Sequence, residues 1–385
     1  MHLAAKTAII AVKGAMKMQN PFTHAFGAQP NKYISSLLEE SIVENFSYNQ
    51  PSERCYILTG VRGSGKTVMM SSISKKLSED DKWVVCNLVL NDDIVSQFAA
   101  RLAEQPQCAS CFIKQTNISI SIAGMSAGIE YNKDKIFDIY TLLGKMLETL
   151  SAKGKKVLIT IDDIYVCDGM IAFAQMFQHL ITDHRDLPVY LIMTGLFQNY
   201  RELTDVKNEK LKGCTFLTRT LDKEVPPLDD SQMAVSYFNT FDIDEKEGIR
   251  LAKMTKGYAF AYQVLGYWYF EKNVNKSELV KDVEVEYRSE LIKYSYNKLW
   301  SELSEKDKQI VIALVELGAD TKKVKRADVI EYINDGGDNI TSSVFNKYRE
   351  RLLGKGIIST SDNREGMIWL PLPQFGEFVR LYNMD

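Results

Sequence analysis

Residues 60–67 read GVRGSGKT and match the pattern G-x-x-x-x-G-K-[S/T] at each constrained position: Gly60, Gly65, Lys66 and Thr67. Glycines let a loop turn its backbone N–H groups inward, which forms a nest for an anion at the start of a helix. The lysine of this pattern reaches the β- and γ-phosphates of a nucleotide, and the hydroxyl after it is a Mg²⁺ ligand. We therefore predict ATP or ADP with Mg²⁺ as the cofactor, bound by Gly60, Val61, Arg62, Gly63, Ser64, Gly65, Lys66, Thr67 and Val68.

The residues on either side have the order that a phosphate-binding loop needs. Residues 54–59 form a short apolar run typical of a strand, and residues 68–77 have helical periodicity. The alternative, a glycine-rich turn with a chance Lys-Thr pair, does not require this strand-loop-helix order.

A second apolar run ends in two aspartates, Asp162 and Asp163. Residues 155–163 read KKVLITIDD, and ligands of open parallel sheets bind at the carboxyl ends of strands. We assign Asp162 to Mg²⁺, partly through water. Asp163 stands where many ATPases have a glutamate that polarises the attacking water, and an aspartate is one methylene shorter. This predicts a site that binds ATP well and hydrolyses it slowly; the alternative is a strand end with solvated acids.

A third buried strand, in residues 187–194 (LPVYLIMT), ends in Thr194 beside the acidic strand. This hydroxyl is a candidate for touching the γ-phosphate or the attacking water, although a threonine also commonly caps a strand. Two further strand-like runs, residues 215–220 (TFLTRT) and 225–228, then lead out of the α/β domain. Together these runs predict a five-stranded parallel sheet with helices on both faces.

Composition narrows the class of protein. The 385 residues allow two or three domains, and 45% hydrophobic with 25% charged residues is ordinary for a soluble globular protein. A net charge of −3 argues against a surface that binds polyanions generally. No apolar run approaches the roughly 18 residues of a membrane helix, and Lys13 and Lys17 argue against a signal peptide. We expect a cytoplasmic protein without a membrane partner, as the scattered cysteines also indicate.

Alternating apolar residues in 117–131 predict a β-hairpin insertion, read either as decoration or as a contact for a partner or DNA. Residues 229–300 read as helices, including one over 277–300. The last part, 301–385, opens with a capping-box pattern at Ser304 and continues as three helices and a two-stranded ribbon, which is a winged helix-turn-helix pattern. Its third helix carries three candidate contacts to double-stranded DNA: Lys347, Arg349 and Arg351.

The charge of this last part leaves the partner open. Residues 302–385 contain twelve Lys and Arg against fourteen Asp and Glu. Proteins that read DNA are usually basic on the binding face. The competing interpretation is a winged-helix module used for contact with a protein partner or for self-association.

The ordered motifs GVRGSGKT, VLITIDD, LPVYLIMTG, TFLTRT and TKGYAFAYQVLGY, with the winged-helix pattern, resemble AAA+ ATPases of the origin-recognition-complex type. More closely, the chain is similar to a group of bacterial ATP-binding proteins related to archaeal and STAND-type ATPases. The resemblance covers about residues 20–385. It implies a P-loop ATPase domain over 21–228, a helical lid over 229–300 and a winged helix over 301–385, after an N-terminal extension over 1–20.

The resemblance also implies roles for single residues. Lys66 and Thr67 would contact phosphate and Mg²⁺, Asp162 would bind Mg²⁺, and Thr194 would be the residue called sensor 1. Residues named only through the resemblance are Phe26 and Gly27 near adenine, Gly257 and Tyr258 in the lid turn that faces the nucleotide, and Arg219 as an arginine finger. No arginine stands in that lid turn, which puts lid-driven hydrolysis in doubt. Arg219 could act on its own or a neighbour's nucleotide, or could be a surface salt-bridge partner.

Three functions follow as hypotheses. The first is an ATP-binding switch with slow Mg²⁺-dependent hydrolysis, in which nucleotide rearranges the lid and the winged helix. The second is a DNA-binding initiator or loader that acts through the winged helix. The third is a protein-interaction module of a defence or signalling system with little hydrolysis. The catalytic residues would be Lys66, Asp162, Asp163, Thr194 and Arg219.

Overall fold

A computed structural model of the protein describes residues 18–24, 30–108, 139–205, 209–337, 339–361 and 366–382. Phe26, Gly27, the predicted hairpin at 117–131 and most of the predicted N-terminal extension therefore lie outside the described residues. Within the described ranges, no helix combines the length and the apolar character needed to cross a membrane.

Five strands form one sheet in the order β2-β3-β4-β1-β5, and all neighbours in it are parallel. Strand β4 is buried along its whole length, as expected for a strand covered by helices on both faces. This confirms the predicted α/β fold with a five-stranded parallel sheet. The strands are β1 Cys55–Thr59, β2 Trp83–Leu88, β3 Lys156–Ile164, β4 Val189–Gly195 and β5 Leu221–Glu224.

Helices cover this sheet on both faces. Apolar residues of α1 and α2 pack in one buried cluster, and those of α3, α4 and α5 pack in another on the opposite face. The helices are α1 Leu37–Ser47, α2 Lys66–Ser78, α3 Ile94–Ala103, α4 Ile139–Ala152, α5 Asp168–Asp183, α6 Phe197–Thr204 and α7 Thr215–Arg219.

After β5 the chain is helical as far as residue 301. Aspartates at 229, 244 and 282 cap three of these helices, each accepting a backbone N–H of the first turn. A π-helical segment, Ile292–Tyr296, separates the last two helices. The helices are α8 Asp230–Phe241, α9 Glu245–Thr255, α10 Ala259–Asn273, α11 Val283–Leu291 and α12 Asn297–Ser301.

The C-terminal part combines four helices with a small antiparallel sheet of order β6-β8-β7. The predicted capping box is present, with Asp307 completing it opposite Ser304. One buried apolar cluster runs through this part and the preceding helices, so the two share a core. The elements are α13 Glu305–Glu316, β6 Val324–Lys325, α14 Arg326–Asp335, α15 Ser342–Gly354, β7 Ser359–Thr360, β8 Met367–Trp369 and α16 Phe375–Tyr382.

Two local predictions were wrong. The run at 215–220 was expected to be extended, but Thr215–Arg219 is helix α7 and the fifth strand follows it. A run this short does not separate helix from strand by periodicity, and packing decided the outcome: the Phe216 ring lies 5.0 Å from the Phe177 ring. The helix expected over 277–300 begins only at Val283, where Asp282 caps it, and the π-helical segment interrupts it.

Candidate nucleotide-binding site

The loop between β1 and α2 has the conformation that its sequence predicts. Gly63 and Gly65 have φ angles of 80° and 93°, in the left-handed region that glycine adopts without strain. Helix α2 begins at Lys66, immediately after Gly65. A Cβ atom on Gly63 would also overlap the hydroxyl of Tyr258, so this position requires glycine for space as well as for conformation.

Lys66 folds back across the loop. Its Nζ donates to the carbonyl oxygens of Gly60 at 3.0 Å and Val61 at 2.8 Å. Burial lowers the pKa of Lys66 to about 8, and the carboxylates of Asp163 and Asp162 oppose that shift without cancelling it. The amine is therefore held in the loop that is predicted to bind phosphate, with two acids close enough to influence its charge.

The predicted residues of the acidic strand meet the loop. Thr67 Oγ1 donates to the carboxylate of Asp162, with distances of 3.0 Å to Oδ1 and 2.9 Å to Oδ2. Thr194 Oγ1 donates to Asp162 Oδ1 from the neighbouring strand, and the same hydroxyl accepts the backbone N–H of Asp163 at 3.1 Å. Thr194 is buried. The parallel order of β1, β3 and β4 brings these side chains together, because all three strands end at the same edge of the sheet.

Asp163 lies at an irregular point of β3. The pairing with β4 shifts register between Ile161 and Ile164, and Asp163 has a φ of 51°, which is uncommon for a residue other than glycine. Bulges of this kind redirect a side chain and occur next to active sites. The Asp163 side chain is exposed, whereas that of Asp162 is half-buried.

These residues fit a nucleotide with Mg²⁺. A hydroxyl and a carboxylate are hard oxygen ligands of the type that Mg²⁺ takes, and Thr67 and Asp162 provide them within 3.0 Å of each other. Ser64 Oγ is buried in the loop without a hydrogen-bond partner among the described residues. A buried polar atom in this condition is the exception in folded proteins and is consistent with a ligand group completing the site.

The turn between α9 and α10 lies directly against the loop. Tyr258 Oη donates to the carbonyl oxygen of Arg62 at 2.6 Å, and the backbone N–H of Phe260 donates to the carbonyl oxygen of Gly63 at 3.0 Å. Of the predicted pair, Tyr258 contacts the loop, whereas the carbonyl oxygen of Gly257 accepts the N–H of Leu228 at 2.8 Å. Phe260 was not predicted, and no sequence signal identifies it, since its contact uses only the backbone.

The C-terminal part also reaches the loop. Gly356, just after α15, approaches Val61 so closely that a Cβ atom on Gly356 would overlap Cγ1 of Val61. Sequence reasoning missed this contact because 295 positions separate the two residues, and neither belongs to a motif that would pair them.

Arg219 is not brought to its own loop. It is exposed and precedes β5, whose first residue, Leu221, pairs with Tyr56 near the start of β1. The loop follows the other end of β1, about 10 Å further along at 3.3 Å per residue. Among the described residues the Arg219 side chain makes no hydrogen bond or ion pair, which gives no support to a salt-bridge role.

The three basic residues of α15 do not form one surface. At 3.6 residues per turn, Lys347 and Arg351 share a face and Arg349 lies on another. Arg351 makes a two-pronged ion pair with buried Asp307, at 2.6 and 3.0 Å, and Arg349 donates to Thr360 Oγ1 at 3.1 Å. Lys347 is exposed, and of the three residues it is the one whose side chain makes no hydrogen bond or ion pair with another described residue. In the part of the chain that the structure describes, only Arg351 of the three has its charge paired with a carboxylate, and contact of these residues with DNA stays a prediction.

The lowered pKa of Lys66 predicts pH-dependent binding of polyphosphate. The free amine loses its proton near pH 8, whereas a bound phosphate favours the charged form, so binding must take up a proton above that pH. We expect affinity to fall as pH rises above about 8, by at most about tenfold per pH unit. Calorimetry in two buffers of different ionisation enthalpy would measure almost no proton uptake at pH 7 and close to one proton at pH 9.

Lys66→Arg is the control for that experiment, because arginine stays charged throughout this range. Its binding should take up no proton at either pH. Equal proton uptake by the wild-type protein at pH 7 and pH 9 would contradict the assignment to Lys66.

Comparisons with known proteins identify solved structures that have a similar fold. No protein-family model and no curated protein matches the chain. A Walker-type ATPase of Pyrococcus abyssi matches with a TM-score of 0.60 and 15% identity, over 91% of this chain and 96% of that one. The ORC2 protein of Aeropyrum pernix matches with a TM-score of 0.53 and 12% identity, over 94% and 98%. Both sources are archaeal, so they do not support the bacterial grouping expected from sequence. At such identities the likeness is one of fold, and the chain shares the α/β fold of these two structures.

Proposed function

We propose that the protein is an ATP-binding switch ATPase with slow, Mg²⁺-dependent hydrolysis. The observation that carries the proposal is the cluster of Thr67, Asp162 and Thr194 beside the phosphate loop, with Thr67 Oγ1 2.9 Å from Asp162 Oδ2. A loop with a strand-end carboxylate beside its threonine is the arrangement that P-loop enzymes use to hold a nucleotide and its metal.

The residues divide the work as follows. Lys66 leaves the carbonyls of Gly60 and Val61 to bind the β- and γ-phosphates, while Thr67 and Asp162 hold Mg²⁺. When bound, Mg²⁺ neutralises charge that develops on the transferred phosphate. Thr194 keeps the Asp162 carboxylate in place through its hydroxyl. Asp163, exposed at the bulge, orients the attacking water.

The switch depends on the contacts between the loop and the rest of the chain. Tyr258, Phe260 and Gly356 all touch the loop, and they belong to the parts proposed as lid (229–300) and winged helix (301–385). A ligand shifts a conformational equilibrium only by its difference in affinity for the two states. Because these contacts converge on the loop that would bind phosphate, nucleotide binding is expected to favour one arrangement of the C-terminal parts over another.

Adenine as the base rests on a relative. The structure of the Aeropyrum pernix protein is of complexes with ADPNP and ADP. Phosphate contacts alone do not select a base, so ATP is proposed for this chain by analogy. Phe26 and Gly27 stay proposed neighbours of adenine.

Turnover measurements test the proposal. We expect Asp163→Glu to raise ATP hydrolysis about tenfold, because the longer side chain reaches further toward the attacking water and a positioned base contributes 10²- to 10⁴-fold. Phosphate release by purified protein with Mg²⁺ measures this. Asp163→Asn is the matched control and should lose the residual turnover. Equal turnover in all three proteins would remove Asp163 from the mechanism.

Duplex DNA in the same assay separates the switch from the alternative of a DNA-binding initiator or loader. The ion pairs of Arg351 and the separate position of Arg349 favour the switch. We therefore expect no stimulation by DNA. Stimulation that disappears in Lys347→Glu and weakens steeply with salt would establish the alternative. Tight nucleotide binding with negligible turnover in every condition would favour a module for a protein partner or for self-association.

A further inference from the structure

We propose that Tyr258 and Ser295 are positioning residues that set the phosphate loop in its anion-binding conformation before any ligand arrives. The inference rests on the proposed function, since it concerns the same loop. The inference goes beyond that function by assigning a defined task to two hydroxyls: that of Tyr258, which contacts the loop, and that of Ser295, which contacts Tyr258.

The argument begins with the peptide plane. In a trans peptide the C=O of one residue and the N–H of the next point in opposite directions. A donor that fixes the carbonyl of Arg62 therefore also fixes the direction of the Gly63 N–H, on the opposite side of the peptide. A donor on the carbonyl of Gly63 does the same for the N–H of Ser64, which donates to the carbonyl oxygen of Val61 at 3.2 Å. Tyr258 Oη and the N–H of Phe260 are these two donors, at 2.6 and 3.0 Å.

Hydroxyl chemistry then fixes the role of Ser295. Tyr258 Oη has one hydrogen, which it gives to Arg62, so in its 3.1 Å contact with Ser295 Oγ the serine must be the donor. Both residues are buried, and burial raises the pKa of Tyr258 to about 12. The tyrosine therefore stays a neutral donor at ordinary pH, with its oxygen oriented by Ser295.

The turn that carries Tyr258 is held from two other sides. Lys256 Nζ donates to the carbonyl oxygens of Asp320 at 2.7 Å and Leu370 at 3.2 Å, in the C-terminal part. The N–H of Leu228, in the segment that leaves the sheet, donates to the carbonyl oxygen of Gly257 at 2.8 Å. Ser295 lies in the π-helical segment, a type of irregularity often found at functional sites. The donor to Arg62 is thus fixed by three separate parts of the chain.

The test uses Tyr258→Phe, which removes the hydroxyl and keeps the buried ring. Its expected effect is about threefold to tenfold weaker binding of both Mg²⁺-tripolyphosphate and Mg²⁺-ATP, the range that one hydrogen bond contributes. The loss should be equal for the two ligands, because tripolyphosphate shares the phosphate contacts of ATP with the loop and lacks only the nucleoside. Ser295→Ala should weaken both ligands in the same direction by a smaller factor. Calorimetric titration measures all four affinities.

Tyr262→Phe is the matched control. Tyr262 is also buried on α10 and bonds Ser236 through its hydroxyl at 2.6 Å, away from the loop. We expect this variant to bind both ligands like the wild-type protein. Wild-type affinity in Tyr258→Phe would overturn the inference, as would an equal loss in the two tyrosine variants. Failure of the wild-type protein to bind either ligand would instead overturn the proposed function, and the inference with it.

Discussion

Replacing Lys66 by alanine is expected to weaken ATP binding by about 10- to 100-fold. Hydrogen bonds from a charged group contribute about 1.5–3 kcal/mol, and each 1.4 kcal/mol is a factor of ten in affinity. Lys66 is the cation of the loop and the start of α2, with its Nζ within 3.0 Å of two loop carbonyls. Titration of Mg²⁺-ATP into the purified protein at pH 7 measures the change.

The same substitution is not expected to reduce stability at pH 7. Burial disfavours the charged form of this lysine, as its lowered pKa indicates, so the folded protein bears a cost that alanine does not. A thermal unfolding midpoint at or above that of the wild type, together with lost affinity, would separate a binding defect from a folding defect. Lys75→Ala is the matched control, because it removes the same charge from an exposed position of the same helix. Equal affinities in the Lys66 and Lys75 variants would contradict the assignment.

Gly356→Ala is expected to lower the free energy of unfolding by about 2–5 kcal/mol. Overpacking costs about 1–3 kcal/mol and a left-handed residue with a Cβ about 1–2 kcal/mol. Both apply here, because Gly356 has a φ of 66° and its added Cβ would overlap Val61 Cγ1. Urea denaturation of the variant against the wild-type protein gives the difference.

Two further variants separate the two costs. Gly154 has a φ of 72° with nothing within 4 Å of an added Cβ, so Gly154→Ala measures the conformational cost alone. Adding Val61→Ala to Gly356→Ala removes the overlapping methyl and should recover part of the loss, since Val61 Cβ itself would remain 2.9 Å away. If Gly356→Ala lowered the free energy of unfolding by no more than Gly154→Ala does, the close contact of Gly356 with Val61 of the phosphate loop would be contradicted.

Much of the site was predictable because its parts are local. The strand, loop and helix around Lys66 are consecutive in the chain, and Gly63 and Gly65 of the loop have left-handed φ angles that glycine adopts without strain. Asp162 was predictable because a buried strand ending in acid can deliver a carboxylate only at the carboxyl edge of a parallel sheet. The helix at Thr215–Arg219 was not, because its five residues carry too little periodicity to outweigh packing against Phe177.

The amino-acid sequence by itself determined the α/β fold, the phosphate loop and the strand-end carboxylate, since each follows from short-range pattern and backbone preference. The tertiary structure alone decided what touches the loop from outside. The contacts of Tyr258 with Arg62, of Phe260 with Gly63 and of Gly356 with Val61 join residues about 195 to 295 positions apart. They depend on how separately folded helices pack, which no local periodicity encodes. The same packing pairs Arg351, a predicted DNA contact, with the carboxylate of Asp307.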